Sequence, residues 1–126
     1  MQKDFLALTD WKREELEQMF ELTRDLKEKQ KRGEPHRLLE GKTLAMIFEK
    51  SPTRTRVSFE AGMFQLGGHA LFLHSGNTQM GRGEPIRDSA KVMARYCDGV
   101  MIRTFSHSIV EEFAAHSSVP IINGLT

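Results

Sequence analysis

Four short apolar runs, Thr43–Phe48, Ala70–Leu73, Gly99–Ile102 and Val119–Ile122, alternate along this chain with segments of helical spacing. Parallel neighbours in a sheet need a crossover long enough to hold a helix, so strand-length runs separated by helix-length segments point to βαβ units. The expected fold class is α/β: a four-stranded parallel sheet flanked by helices, βαβαβαβ after an N-terminal helix. Residues 1–126 are read as one domain, a size that buries a core without disulfides or metal.

The helical segments carry their own punctuation. From Asp10, an N-cap candidate, to about Lys31, apolar Leu16, Met19, Phe20 and Leu26 recur among Glu and Lys, which describes an amphipathic surface helix. Its basic end, Lys27, Lys29, Lys31 and Arg32, is ordinary compensation of the helix dipole. A second helix spans about Arg54 to Leu66 and stops at Gly67–Gly68. A third starts at Pro85 and turns Ile86, Ala90, Met93 and Cys97 to one face, and a fourth, His107 to His116, turns Ile109, Val110 and Phe113 inward. Trp11 and Cys97 read as packing residues.

Bulk charge excludes little and suggests nothing. Lys and Arg number 18 against 17 Asp and Glu, a net charge of +1, so no nucleic-acid or membrane partner is expected from electrostatics. No apolar stretch approaches the roughly 20 residues needed to cross a bilayer. One cysteine permits no internal disulfide and the start lacks the apolar run of a signal peptide, so a cytoplasmic location is expected. The histidines show no metal-ligand spacing.

Any anion site must therefore be local, and in open parallel sheets ligands bind beyond the carboxyl ends of the strands. The segments that follow the first three strands hold Lys50, Arg54, Arg56, Gln79, Arg82 and Arg103, with hydroxyls from Ser51, Thr53 and Thr55. Thr53, Arg54 and Thr55 open the second helix, where unpaired N–H groups and the helix dipole favour phosphate, and a guanidinium adds a bidentate grip. A Thr N-cap followed by solvent-facing arginines would look the same. Arg103 weighs for the site, because packing does not explain an arginine directly after the apolar Val100–Ile102. A receiver domain would need acidic residues where Lys50 and Arg103 stand, and neither a Walker loop nor a dinucleotide fingerprint follows the first strand. The polar segment from His74 to Glu84 reads as a functional loop.

The run Phe48–Glu49–Lys50–Ser51–Pro52–Thr53–Arg54–Thr55–Arg56–Val57–Ser58–Phe59–Glu60 resembles the carbamoyl-phosphate loop of the aspartate and ornithine carbamoyltransferases. Gly67–Gly68, Asn77–Thr78–Gln79, Gly81–Arg82–Gly83–Glu84 and Arg103–Thr104 also fall where that family has counterparts, so the resemblance covers essentially the whole chain. Gln79 with the following Gly-Arg-Gly-Glu-Pro-Ile, and the ending Val119 to Thr126, are similar to the ornithine enzymes rather than the aspartate enzymes.

What the resemblance implies is specific. Pro52, Thr53, Arg54, Thr55, Gln79 and Arg103 would contact carbamoyl phosphate, with Thr55 and Arg103 in catalytic roles polarising the carbonyl. The family usually has Ser where Pro52 stands, and proline offers neither hydroxyl nor N–H. Gln79 would reach the ligand of a neighbouring subunit, so a homo-oligomer, a trimer or a multiple of trimers, is implied. Ornithine would attack the carbamoyl carbon to give citrulline and phosphate, with no metal and no cofactor. In the family a His-Pro-Cys-Gln-type segment and an ornithine-binding domain follow the position of Thr126, so the chain is expected to be the carbamoyl-phosphate domain of a longer enzyme that is inactive alone. Two alternatives stay open: an aspartate or other amine acceptor, and a non-catalytic anion-binding or oligomerising module.

Overall fold

The computed structural model describes residues 4–49, 53–74, 85–103 and 106–125. Four parallel strands, β1 (Thr43–Phe48), β2 (His69–His74), β3 (Gly99–Arg103) and β4 (Ile121–Asn123), form one sheet in the order β2-β1-β3-β4. The helices are α1 (Arg13–Arg32), α2 (Thr53–Gln65), α3 (Ile86–Tyr96) and α4 (His107–His116). The expected α/β architecture is the one observed.

Alternation along the strands divides the core between two faces. Ala45, Ile47, Val100, Ile102 and Ile121 pack with Ala90 of α3 and Val110 and Phe113 of α4, while Leu44, Met46, Phe48 and Met101 pack with Met63 of α2. Since β1 is buried on both faces, its sequence is apolar without interruption, as expected of a central parallel strand.

Several boundaries differ from the sequence reading, and three of them have a local reason. Helix α1 begins at Arg13 because Leu8–Asp10 forms a 3₁₀ turn and the Lys12 N–H donates to the Glu15 carboxylate at 2.8 Å, so Asp10 is not the cap. Strand β4 begins at Ile121 and not Val119, because the Val119 N–H is taken by the Ser117 hydroxyl and Pro120 has no N–H to give. At α2, Gly67 adopts φ +88 and the Gly68 N–H returns to the Met63 carbonyl, which ends the helix one residue before Leu66.

Two larger differences concern the N-terminal part. Helix α1 carries its apolar stripe but fully buries no residue: Leu16, Met19 and Leu26 are half-buried and Phe20 is 65% exposed. Ahead of it, Phe5 pairs in parallel with Ile122, donating to the Ile121 carbonyl and accepting from the Asn123 N–H at 2.7 Å each. This extended segment closes the β4 edge of the sheet. The run Phe5-Leu6-Ala7-Leu8 is the sequence signal for it.

Candidate functional site

The strand order reverses at β1. From β1 the chain passes to β2 on one side, then returns across to β3 on the other, so the carboxyl ends of β1 and β3 flank the point where connections diverge. Such a switch point is the ligand-binding position of open α/β sheets. Helix α2 starts five residues after the end of β1, and Arg103 closes β3 in register with Phe48.

Those two ends meet through side chains. Arg103 donates from Nη1 to the Thr55 Oγ1 at 2.5 Å, and its carbonyl accepts the Glu49 N–H at 3.1 Å. Both Arg103 and Thr55 are half-buried, so this bond is partly shielded from solvent. A hydroxyl has a single proton; a Thr55 oxygen that accepts from Arg103 keeps its own O–H to donate elsewhere. Among the described residues no partner takes that proton.

Thr53 and Arg54, the first two residues of α2, are exposed at the same edge. Arg54 and Thr55 line an open cleft of about 580 Å³ whose far wall is made by Leu6, Leu8, Gly124 and Leu125. The cleft thus combines helix-terminal N–H groups, an exposed guanidinium and a hydroxyl oriented by a second guanidinium. That set has the chemistry to hold a tetrahedral anion and to polarise a neighbouring carbonyl oxygen.

The sequence-derived cluster separates here. Thr53, Arg54, Thr55 and Arg103 share one edge. Arg56 leaves it: its Nε pairs with Glu60 at 3.1 Å and its guanidinium carbon lies 3.7 Å from the centre of the Phe72 ring. Pro52 and Gln79, like Lys50, Ser51, Arg82 and Thr104, lie outside the described residues. The far wall is new: in sequence Asn123 stands only as part of a segment after the last strand, and nothing there connects the Phe5–Leu8 run to the site.

Cys97 is buried at the end of α3, and burial, with the nearby charge of Asp98, holds its thiol above the ordinary range. Its environment suits a packing residue rather than a nucleophile. Among the described residues no group of three or more His, Cys, Asp or Glu is placed to hold a metal ion, and no helix is long and apolar enough to cross a membrane.

The model of the aspartate/ornithine carbamoyltransferase carbamoyl-P binding domain matches residues 3–126. An ornithine carbamoyltransferase of Syntrophotalea carbinolica is 71% identical over the whole chain, and one of Geobacter sulfurreducens is 68% identical. Among solved structures, the ornithine carbamoyltransferase from Pyrococcus furiosus superposes with a TM-score of 0.95 at 53% identity, covering 98% of this chain and 39% of that one. The chain spans 42% of the length of the two curated relatives. By the family match and these likenesses, the chain belongs to the aspartate/ornithine carbamoyltransferase family, in the part that the carbamoyl-P binding domain describes.

Proposed function

We propose that this chain binds carbamoyl phosphate and contributes that half of the active site to an ornithine carbamoyltransferase. The observation that carries the reading is the Arg103–Thr55 hydrogen bond beside Arg54 at the sheet's switch point. In this reading Thr53, Arg54 and the first N–H groups of α2 hold the phosphate, and Pro52 and Gln79 join them as ligand contacts, Gln79 toward the ligand of a neighbouring subunit. The Thr55 hydroxyl and Arg103 face the carbamoyl oxygen. As ornithine's side-chain amine attacks, a C–N bond forms, the C–O bond to phosphate breaks, and negative charge grows on the oxygens these groups face. One amine proton passes to the departing phosphate, and no cofactor enters the scheme.

The acceptor would bind in a second domain, outside residues 1–126. Homo-oligomerisation is supported by α2, which leaves Val57 and Phe64 55% and 79% exposed with Ala61 between them. A single cysteine and a net charge near zero fit a cytoplasmic protein.

Calorimetry with carbamoyl phosphate tests the core of the proposal. The unaltered chain should bind, and Arg54→Ala should weaken binding by about tenfold or more, the scale of one charge-assisted hydrogen bond. Equal affinities for the two proteins would refute the assignment. Citrulline assays on the chain and on a longer form carrying the second domain should show turnover only in the latter.

A further inference from the structure

Asn123 closes β4 and lines the anion cleft beside Gly124 and Leu125, and its side chain joins parts of the chain that are remote in sequence. Its Nδ2 donates to the Leu6 carbonyl at 2.9 Å, a contact across 117 residues, and lies 3.4 Å from Nδ1 of His107 at the start of α4. Its Oδ1 accepts the Leu125 N–H at 2.9 Å. Its backbone N–H donates to the Phe5 carbonyl at 2.7 Å.

These bonds act on the residues that line the cleft. Leu6 and Leu125 form its far wall, opposite Arg54 and Thr55. Leu125 sits at φ +114, a backbone conformation that a branched apolar residue does not choose unaided. Between them Gly124 runs so close to β3 that its N–H reaches the Ile102 carbonyl at 2.8 Å, and an added Cβ would collide with the Met101 sulfur. The exit from β4 is therefore held in a single path, and Asn123 is the residue whose one amide group ties both sides of it.

We propose that Asn123 is a positioning residue for the anion site. Its two amide ends clamp the Leu6 carbonyl and the Leu125 turn so that the wall facing Thr55 keeps the spacing the carbamoyl end of the ligand requires. This role rests on the carbamoyl-phosphate reading. In that reading phosphate is held by Thr53, Arg54 and the α2 N-terminus, whereas Asn123 pairs with Ile102, the neighbour of Arg103, so the clamp bears on the carbamoyl group and not on bare phosphate.

That asymmetry supplies the test. Carbamoyl phosphate and inorganic phosphate are titrated by calorimetry into the unaltered chain, Asn123→Ala and Asn123→Asp, with hydrogen exchange followed at the Leu125 and Phe5 amides. Asn123→Ala should bind carbamoyl phosphate about tenfold more weakly while phosphate affinity stays within about twofold, with Leu125 losing protection. Asn123→Asp keeps the acceptor for Leu125 and loses the donor to Leu6; it should preserve Leu125 protection and show a smaller loss for carbamoyl phosphate. If Asn123→Ala does not fold by circular dichroism, Asn123→Asp decides, and affinity equal to the unaltered chain overturns the proposal. Parallel losses for both ligands also overturn it, since they report general damage. A folded unaltered chain that binds neither ligand removes the carbamoyl-phosphate reading, and the positioning role falls with it; unchanged binding in folded Asn123→Ala removes the positioning role alone.

Discussion

Thr55 and Arg103 are 48 residues apart in the chain, yet the threonine oxygen lies 2.5 Å from a guanidinium nitrogen of the arginine. The sheet makes that encounter unavoidable. Register sets Arg103 beside Phe48, and α2 begins just beyond Phe48, so the first turn of the helix must pass over the end of β3. The hydrogen bond then leaves the threonine proton to point away from Arg103.

The hydroxyl can be removed without changing side-chain shape. Thr55→Val leaves Arg103 in place but deletes both its acceptor and the free O–H, so carbamoyl-phosphate affinity should fall by a factor corresponding to about 0.5–1.5 kcal/mol. Thr55→Ser should recover most of the loss. Calorimetry on the three proteins decides, and equal binding by Thr55→Val would remove Thr55 from the site.

Arg54 and Arg56 look equivalent in sequence and should behave oppositely. Arg54→Ala should weaken anion binding with little effect on stability, because the side chain is exposed in the cleft. Arg56→Ala removes the contact with the Phe72 ring and a half-exposed pair with Glu60, together costing about 1 kcal/mol of folding stability. Its anion affinity should stay near that of the unaltered chain. Urea denaturation and phosphate titration of both variants give the comparison.

The same contrast marks what is legible in the sequence. The two-faced burial of β1 and the punctuation at Gly67–Gly68 are local patterns, so the fold and the end of α2 can be read within a residue or two. Arg103 is legible because a charge that ends an apolar strand gains nothing from packing and must find its partner at the sheet edge. Where Arg56 points is not, since it depends on Phe72 arriving in the neighbouring strand. The far wall of the cleft is hidden for a similar reason: Leu6 and Leu125 meet only because the N-terminal segment pairs with β4.

Two glycines around the end of α2 should respond to alanine with opposite signs. Gly62 lies inside the helix and an added Cβ meets nothing within 4 Å, so Gly62→Ala should stabilise the chain by about 0.5–1 kcal/mol through reduced backbone freedom in the unfolded state. At Gly68 a Cβ would stand 3.0 Å from the carbonyl oxygens of both Leu39 and Lys42. The Met63 methyl, at 2.6 Å, can swing aside, but the Lys42 carbonyl is fixed by the His69 N–H at 2.9 Å. Gly68→Ala should therefore cost about 1–3 kcal/mol, read as a lower urea midpoint.

The thiol of Cys97 predicts an alkaline limit to stability. Burial first, and the charge of Asp98 second, raise its pKa above the ordinary 9.0, because ionising it in place would set a thiolate among apolar groups and beside a carboxylate. Unfolded, the thiol ionises near its ordinary value; folded, it stays protonated to higher pH. Above that ordinary value the unfolded state binds fewer protons than the folded one, so stability falls as pH rises. The contribution is fully present below 9.0 and is lost as pH rises through the raised folded value. Cys97→Ala should flatten this alkaline slope, measured by urea midpoints from neutral pH upward, at the cost of a small cavity at all pH values. In the unaltered chain, iodoacetamide at mildly alkaline pH should modify Cys97 slowly until urea unfolds the domain, after which the rate should rise to that of a free thiol. Rapid alkylation of the folded chain would show that the thiol is neither buried nor held protonated.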